Sequence, residues 1–212
     1  MSLLYSEIVN TYEKISATTS RIMITEILVD LLKKASKEDV DKIVYLTQGK
    51  IYPDYIGIEL GVAEKLMARA IALAAGENYD KIIQLFKSKG DLGMVAQEVL
   101  SKKKQTGIFQ FIQEEVKKLT VNEVYDTLVK VSKASGEGAQ DIKIRLLTGL
   151  LKKATPVEAK YITRTVIGTL RLGLADMTIL DAIAIAYLKS KEFRPIVERA
   201  YNLTSDLGYV AK

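Results

Sequence analysis

The string Leu31-Leu32-Lys33-Lys34-Ala35 returns as Leu150-Leu151-Lys152-Lys153-Ala154, and its surroundings return with it. Before it, Glu7, Thr11, Lys14 and Ser16 match Glu123, Thr127, Lys130 and Ser132. Around it, Leu28 and Gly49 match Leu147 and Gly168. After it, Leu60, Gly61, Ala70, Ile71, Ala72 and Ala74 match Leu172, Gly173, Ala182, Ile183, Ala184 and Ala186. A last block pairs Asp91, Leu92, Gly93, Val95 and Ala96 with Asp206, Leu207, Gly208, Val210 and Ala211. One such block could arise by chance. Four in the same order, with small spacing changes that fall in connectors, argue for an internal repeat. The expected organisation is a first helical repeat at 1–100, a junction at 101–119 and a second repeat at 120–212, with about six helices in each repeat.

Nearly every segment carries helical periodicity. Ile8, Tyr12 and Ile15 form one stripe, and Ile142, Leu146, Leu147, Leu150 and Leu151 another. Start and stop signals divide the stripes. Thr18, Thr19 and Ser20 precede a helix over Arg21–Ala35, and Ser36 precedes a third that stops at Gly49. Further helices are expected over Val62–Ala75, Tyr79–Lys87, Leu92–Ser101, Val121–Ala134, from the glycines at 136 and 138 to Ala154, Pro156–Thr165, Asp176–Leu188 and Glu192–Leu203. Residues 50–61 and 168–174 read as irregular connectors. No segment alternates like a strand, so the fold class is all-α.

The 212 residues contain no Cys and no His. That removes disulfides, thiolate metal sites and cysteine nucleophiles, along with the commonest general base at neutral pH. No metal site is expected. No apolar run is long enough to span a bilayer and no signal pattern opens the chain, so a cytoplasmic protein that does not enter membranes is expected. The formal charge of +5 gives a mild bias toward polyanions.

The best ligand-binding stretch is Ser135–Ala154. Gly136 and Gly138 open a loop whose backbone can approach a ligand closely, and the helix that follows places Gln140, Lys143 and Arg145 near its start. Free N–H groups, the helix dipole and nearby cations together favour a phosphate. In the first repeat the comparable loop is Thr18-Thr19-Ser20-Arg21. Paired loops on a duplicated body suit a pseudo-twofold ligand such as duplex DNA. The competing reading is a duplicated helical adaptor whose partner is a protein.

Several strings, in order along almost the whole chain, resemble the N-terminal DNA-binding domain of archaeal-type ATP-dependent DNA ligases. They are ISATTSR (15–21), YLTQGKIYPD (45–54), ELGV-EK (59–65, with Ala63 where the family has Gly), KGDLGMVA (89–96), SGEGAQDIKIRLL (135–147), EAKYITRTVIGTLRLGLAD (158–176) and TILDAIAIAY (178–187). The resemblance implies an all-helical domain in two pseudo-symmetric halves. It implies a monomer that lies across the minor groove of nicked duplex DNA and contacts phosphates and sugars without reading sequence. Carried over position by position, the DNA-binding residues are Thr19, Ser20, Arg21, Gly136, Gly138, Gln140, Lys143, Arg164, Arg171 and Gly173. Thr169 stands where the family often has a basic residue, which puts one phosphate contact in doubt. The resemblance also implies ATP and Mg for the full-length ligase, in replication and repair, with no cofactor in this part.

Ligases of this kind adenylate a lysine in a K-x-D-G motif. The nearest string, Lys89-Gly90-Asp91-Leu92, ends wrongly, and its counterpart Thr204-Ser205-Asp206-Leu207 lacks the lysine. It reads as a repeated helix start, so catalytic residues are absent and the chain is expected to be a fragment that cannot ligate alone. Acidic pairs such as Glu38-Asp39 and Glu114-Glu115 read as helix first turns or solvated faces.

In the junction, Gln105, Ile108, Phe111 and Ile112 fit the Q-x-x-h-x-x-a-a pattern of peptides that dock on the replication sliding clamp, with Ile112 in place of the second aromatic. A short apolar plug in a clamp pocket is the mechanism that pattern implies. The alternative is that Phe109, Phe111 and Ile112 pack onto the helical body. Phe111→Ala is expected to abolish clamp binding in surface plasmon resonance. Unchanged affinity would leave only the packing role.

Overall fold

Hydroxyl caps, glycines and prolines punctuate the apolar stripes, and helices occupy the intervals between them. This computed structural model describes residues 2–106, 118–170 and 172–212, with only the backbone of residues 104–106. Among the described residues there are twelve α-helices. They are α1 (Tyr5–Ser16), α2 (Arg21–Lys34), α3 (Val40–Thr47), α4 (Glu64–Ala75), α5 (Tyr79–Lys89) and α6 (Leu92–Thr106). In the second half they are α7 (Val121–Lys133), α8 (Ala139–Lys153), α9 (Pro156–Val166), α10 (Asp176–Leu188), α11 (Arg194–Thr204) and α12 (Leu207–Ala211). The chain is all-α, and the described residues contain one isolated antiparallel bridge, Leu4 to Thr120, and no strand.

The caps explain the boundaries. Ser20 Oγ accepts the Met23 N–H at the start of α2. Thr155 and Glu158 form a reciprocal capping box at α9, with Pro156 in the first turn where its missing N–H costs nothing. Gly76 and Gly90 close α4 and α5 in the left-handed conformation that glycine adopts without strain.

Other boundaries moved from their expected places. α3 begins at Val40 rather than just after Ser36, since residues 37–39 form a turn, and the N-cap residue Asp39 makes no capping bond because its carboxylate is engaged elsewhere. It accepts the Leu3 N–H (2.8 Å) and the Ser2 hydroxyl (3.0 Å), fixing the N-terminal segment. α4 starts at Glu64, leaving Val62 buried in the connector. α6 continues to Thr106, so Lys102 and Lys103 lie on a helix. A 3-10 turn at Lys191–Phe193 precedes α11, which starts at Arg194 instead of Glu192.

The described chain divides into two compact units. The first comprises residues 1–58, 120–125 and 171–212, and the second comprises 59–119 and 126–170. Neither coincides with a sequence half. The first unit holds α1, α2 and α3 with α10, α11 and α12; the second holds α4, α5 and α6 with α8, α9 and most of α7. Within the first unit α2 packs on α10 and α3 on α12, and one apolar cluster joins Leu28, Leu32 and Val44 to Ile179, Ile183 and Leu207. Within the second unit α8 packs on α4 and α9 on α6. There Met67, Ile71, Leu92, Val95, Leu147, Leu151 and Ile162 are buried. Full burial of each large aliphatic side chain contributes about 1.5–3 kcal/mol.

Two glycines set the spacing of these pairs. A Cβ on Gly93 of α6 would lie 2.7 Å from the Lys160 carbonyl oxygen and 2.9 Å from Arg164 Cγ on α9. A Cβ on Gly208 of α12 would overlap the Tyr45 ring on α3 and lie 2.9 Å from its hydroxyl oxygen. Gly149, on an open face of α8, has nothing within 4 Å of its Cβ position. Gly93→Ala and Gly208→Ala are each expected to cost about 1–3 kcal/mol in urea unfolding. Gly149→Ala is expected to add about 0.4–1 kcal/mol by the same measurement, through its effect on the unfolded chain.

Candidate nucleic-acid interface

In the first unit the candidate surface begins at the N-terminus of α2. Thr19, Ser20 and Arg21 are exposed there, and Thr18 Oγ accepts the Ser20 N–H (3.1 Å), holding the turn. Ile22 and Met23 follow in the first helical turn, 74% and 51% exposed. Large apolar residues so exposed beside a cation suit the sugar edges of a nucleic acid, and periodicity alone assigned them no role. Gly173, exposed at φ +66, lies in the connector that leads into α10, the helix packed on α2. Arg171 lies outside the described residues.

In the second unit the surface begins at α8. Gly136 (φ +80) and Gly138 (φ +76) are both exposed, with nothing within 4 Å of either Cβ position. Both need the left-handed backbone that glycine tolerates. Gly138 occupies the N-cap of α8 without a capping side chain, so the orphan N–H groups of the first turn are not satisfied by a cap. Gln140 is exposed. Lys143, one turn on, donates to the carbonyl oxygens of Leu60 (3.0 Å) and Gly61 (3.1 Å). It therefore ties the α8 start to the connector that leads into α4, the helix packed on α8.

The same arrangement thus occurs in each unit: a helix-start loop, and a glycine-bearing connector that feeds the helix packed against it. In both units a polar side chain at the loop is directed at its neighbour. Lys143 holds the Leu60-Gly61 carbonyls, and Arg21 approaches Asp181 of α10 at 3.6 Å.

Arg164 has a different employment. Its guanidinium meets Asp91 of α6 twice, Nε at 3.1 Å and Nη2 at 2.5 Å. Asp91 also accepts the Met94 N–H (3.1 Å), capping α6. Partial burial alone would raise the Asp91 pKa, but the Arg164 hydrogen bonds and the Met94 N–H overcome it and hold the carboxyl below its ordinary value. Thr169, where a basic residue was expected, donates its N–H to the Arg164 carbonyl (2.8 Å) and closes α9 together with Gly168 at φ +68. Lys89, the only lysine of the rejected K-x-D-G string, pairs with Glu98 at 3.0 Å. The sliding-clamp residues Ile108, Phe111 and Ile112, and the side chain of Gln105, lie outside the described residues. Among the described residues no group of acidic residues could hold a metal ion. No described helix is long and apolar enough to cross a membrane.

Residues 4–184 match the family model described as DNA ligase N terminus. The chain belongs to that family. It is 51% identical to DNA ligase 2 of Thermofilum pendens over 98% of its length, covering 35% of that relative. It is 50% identical to the DNA ligase of Acidianus ambivalens and 48% identical to that of Saccharolobus solfataricus, in each case over 95% of this chain and 34% of the relative. This member of the DNA ligase N-terminal family therefore spans about a third of the length of the ligases it matches. The resemblance read from its motifs, to the N-terminal domain of archaeal-type ATP-dependent ligases, is borne out at family level.

Sequence reasoning missed the cations Lys191 and Arg194 of this family member, which gather with Arg21 around Asp181. The signal was present but ambiguous, since a Lys-Glu-Phe-Arg run reads equally well as a solvated helix start.

The Asp91–Arg164 contact predicts an acid response. With its folded pKa depressed, Asp91 contributes stability that is fully present above the ordinary value of 3.8 and is lost as pH falls through the lower folded value. Asp91→Asn is expected to be less stable than wild type at pH 7. Its urea midpoint should also change less between pH 4 and pH 2, because the titrating contribution has gone.

Proposed function

We propose that this chain is the part of an ATP-dependent DNA ligase that grips nicked duplex DNA, lying across the minor groove on both sides of the nick without reading sequence. The observation that carries the reading is the recurrence, in both units, of an exposed helix-start loop beside a glycine-bearing connector. Such loops offer backbone N–H groups and close approach to phosphates. Membership of a DNA ligase family makes DNA the natural ligand. In the full-length ligase, ATP and Mg would serve lysine adenylation, transfer of AMP to the 5′ phosphate and attack by the 3′ hydroxyl. This chain's part is to hold the substrate.

The helix pairing supports the repeat read from the sequence. Moving every helix number by six exchanges α2·α10 with α8·α4, α3·α12 with α9·α6, and α10·α11 with α4·α5. The repeat residues also hold equivalent jobs: Asp91 caps α6 as Asp206 caps α12. We propose that the two sequence halves are copies of one six-helix unit whose first and last three helices pack with those of the other copy. The sliding clamp, through Gln105, Ile108, Phe111 and Ile112, is a proposed second partner.

Fluorescence anisotropy with nicked, intact and single-stranded DNA over a salt series tests the reading. The expected result is duplex preference and a steep negative slope of log affinity against log salt, about 0.9 per phosphate neutralised. Arg21→Ala is expected to reduce the slope by about one unit. No duplex binding at low salt, or binding indifferent to salt, would favour the protein adaptor instead.

A further inference from the structure

Asp181 of α10 is fully buried, yet no donor makes a hydrogen bond to either of its carboxylate oxygens. Its neighbours are cations from three elements. Lys191 of the 3-10 turn lies at 3.0 Å, Arg194 at the start of α11 at 3.5 Å, and Arg21 at the start of α2 at 3.6 Å. These are ion-pair separations in which no N–H points squarely at an oxygen. A buried carboxylate is costly unless charge compensates it, and here the compensation comes from these cations.

The geometry has a consequence on the solvent side. The side chains of Arg21 and Lys191 are 61% and 62% exposed. Each turns one edge toward Asp181 and keeps its remaining donors for the surface. Glu198 approaches Arg194 at 3.5 Å, so three cations face two carboxylates and one positive charge is left over. A single phosphodiester carries the charge that balances this excess. The cluster stands at Ser20-Arg21, the helix-start loop already assigned to the interface. In the register that aligns Leu60-Gly61 with Leu172-Gly173, the position matching Asp181 is Arg69, so this acid-centred device belongs to one loop of the two.

We infer that Asp181 is a positioning residue, which gathers Arg21, Lys191 and Arg194 into one binding site for a backbone phosphate of DNA. Lys191 contacts that phosphate directly. This rests on the DNA-gripping reading and deepens it. Because α10 packs both on α2 and on α11, the buried carboxylate is the one group placed to draw cations from both neighbours to a common point.

The sign of one substitution separates positioning from plain electrostatics. Removing a negative charge near DNA should tighten binding if Asp181 merely opposes phosphate. If Asp181 gathers the cations, Asp181→Asn weakens binding instead. Anisotropy with a nicked duplex over a salt series reads this directly, with thermal unfolding by circular dichroism to show that each variant is folded. Lys191→Gln, at an exposed side chain, keeps the test decisive should Asp181→Asn fail to fold. Its salt slope is expected to fall by about 0.9, the contribution of one phosphate, which is about eightfold in affinity at 0.1 M salt if affinity at 1 M is unchanged. Asp181→Asn is expected to lose at least as much slope, and Asp181→Glu to recover part of it. A purely structural carboxylate would lower the melting temperature and leave the slope intact. Wild-type duplex binding together with an unchanged slope in Lys191→Gln, or tighter binding by Asp181→Asn, would overturn the inference alone. A wild-type chain with no salt-dependent duplex binding would overturn the DNA reading and this inference with it.

Discussion

Two aspartates do the same structural work in the two units. Asp91 begins α6, accepts the Met94 N–H and reaches Arg164 on α9. Asp206 begins α12, accepts the Tyr209 N–H (2.9 Å) and takes the Tyr45 hydroxyl from α3 at 2.7 Å. Burial first, and then the Asp206 acceptor, push the Tyr45 hydroxyl pKa far up, so it stays a donor. Two residues after each aspartate comes the glycine whose missing side chain lets the helices touch. Cap and cross-helix bond share the aspartate, and the close approach comes two positions later. None can be changed alone, because the cap orients the carboxylate and the glycine sets the distance over which it acts.

This constraint explains why the compact units cut across the sequence halves. Each terminal helix is bound to the third helix of the opposite half. α6 goes to α9, and α12 goes to α3. The α12 helix is only five residues long and would be marginal by itself, since a short helix has little beyond its nucleation cost. Leu207, Gly208 and the Asp206 cap give it a packed place that its own propensity could not supply.

Much of this was legible in the sequence, and the limit has a physical form. Apolar residues at three- and four-residue spacing fix which face of a helix is buried, so the helices from α1 to α11 were read close to their true positions. The period does not say what that face is buried against. The matching blocks in the sequence are compatible with two arrangements: halves that fold on themselves, and halves that exchange partners. Only the long-range contacts distinguish them. Boundaries shifted where a turn stands between the expected cap and the helix, as at residues 37–39 before α3, and the N-cap itself can be claimed from afar, as Leu3 and Ser2 claim the Asp39 carboxylate. At the candidate site the glycine loops were legible because left-handed backbone demands glycine. The employment of the cations was not, because Arg164 finds its acid 73 residues earlier in the chain.

The formal charge of +5 is a poor guide to where a polyanion would bind, because much of the basic surface is already committed. Arg164 donates two hydrogen bonds to Asp91 Oδ2, and Lys143 is held by two carbonyls. A cation so held gives up its solvation and part of its field to the protein, and contributes to binding chiefly by shaping the loop that it braces. Arg21 and Lys191 differ in kind: each pairs with a buried acid and stays more than half exposed. A charge held in this way loses little side-chain freedom when a ligand arrives, since the protein has already restricted it. Pre-ordered cations beside exposed glycine turns suit the proposed reading, in which a nucleic-acid backbone is gripped by shape and charge without reading sequence.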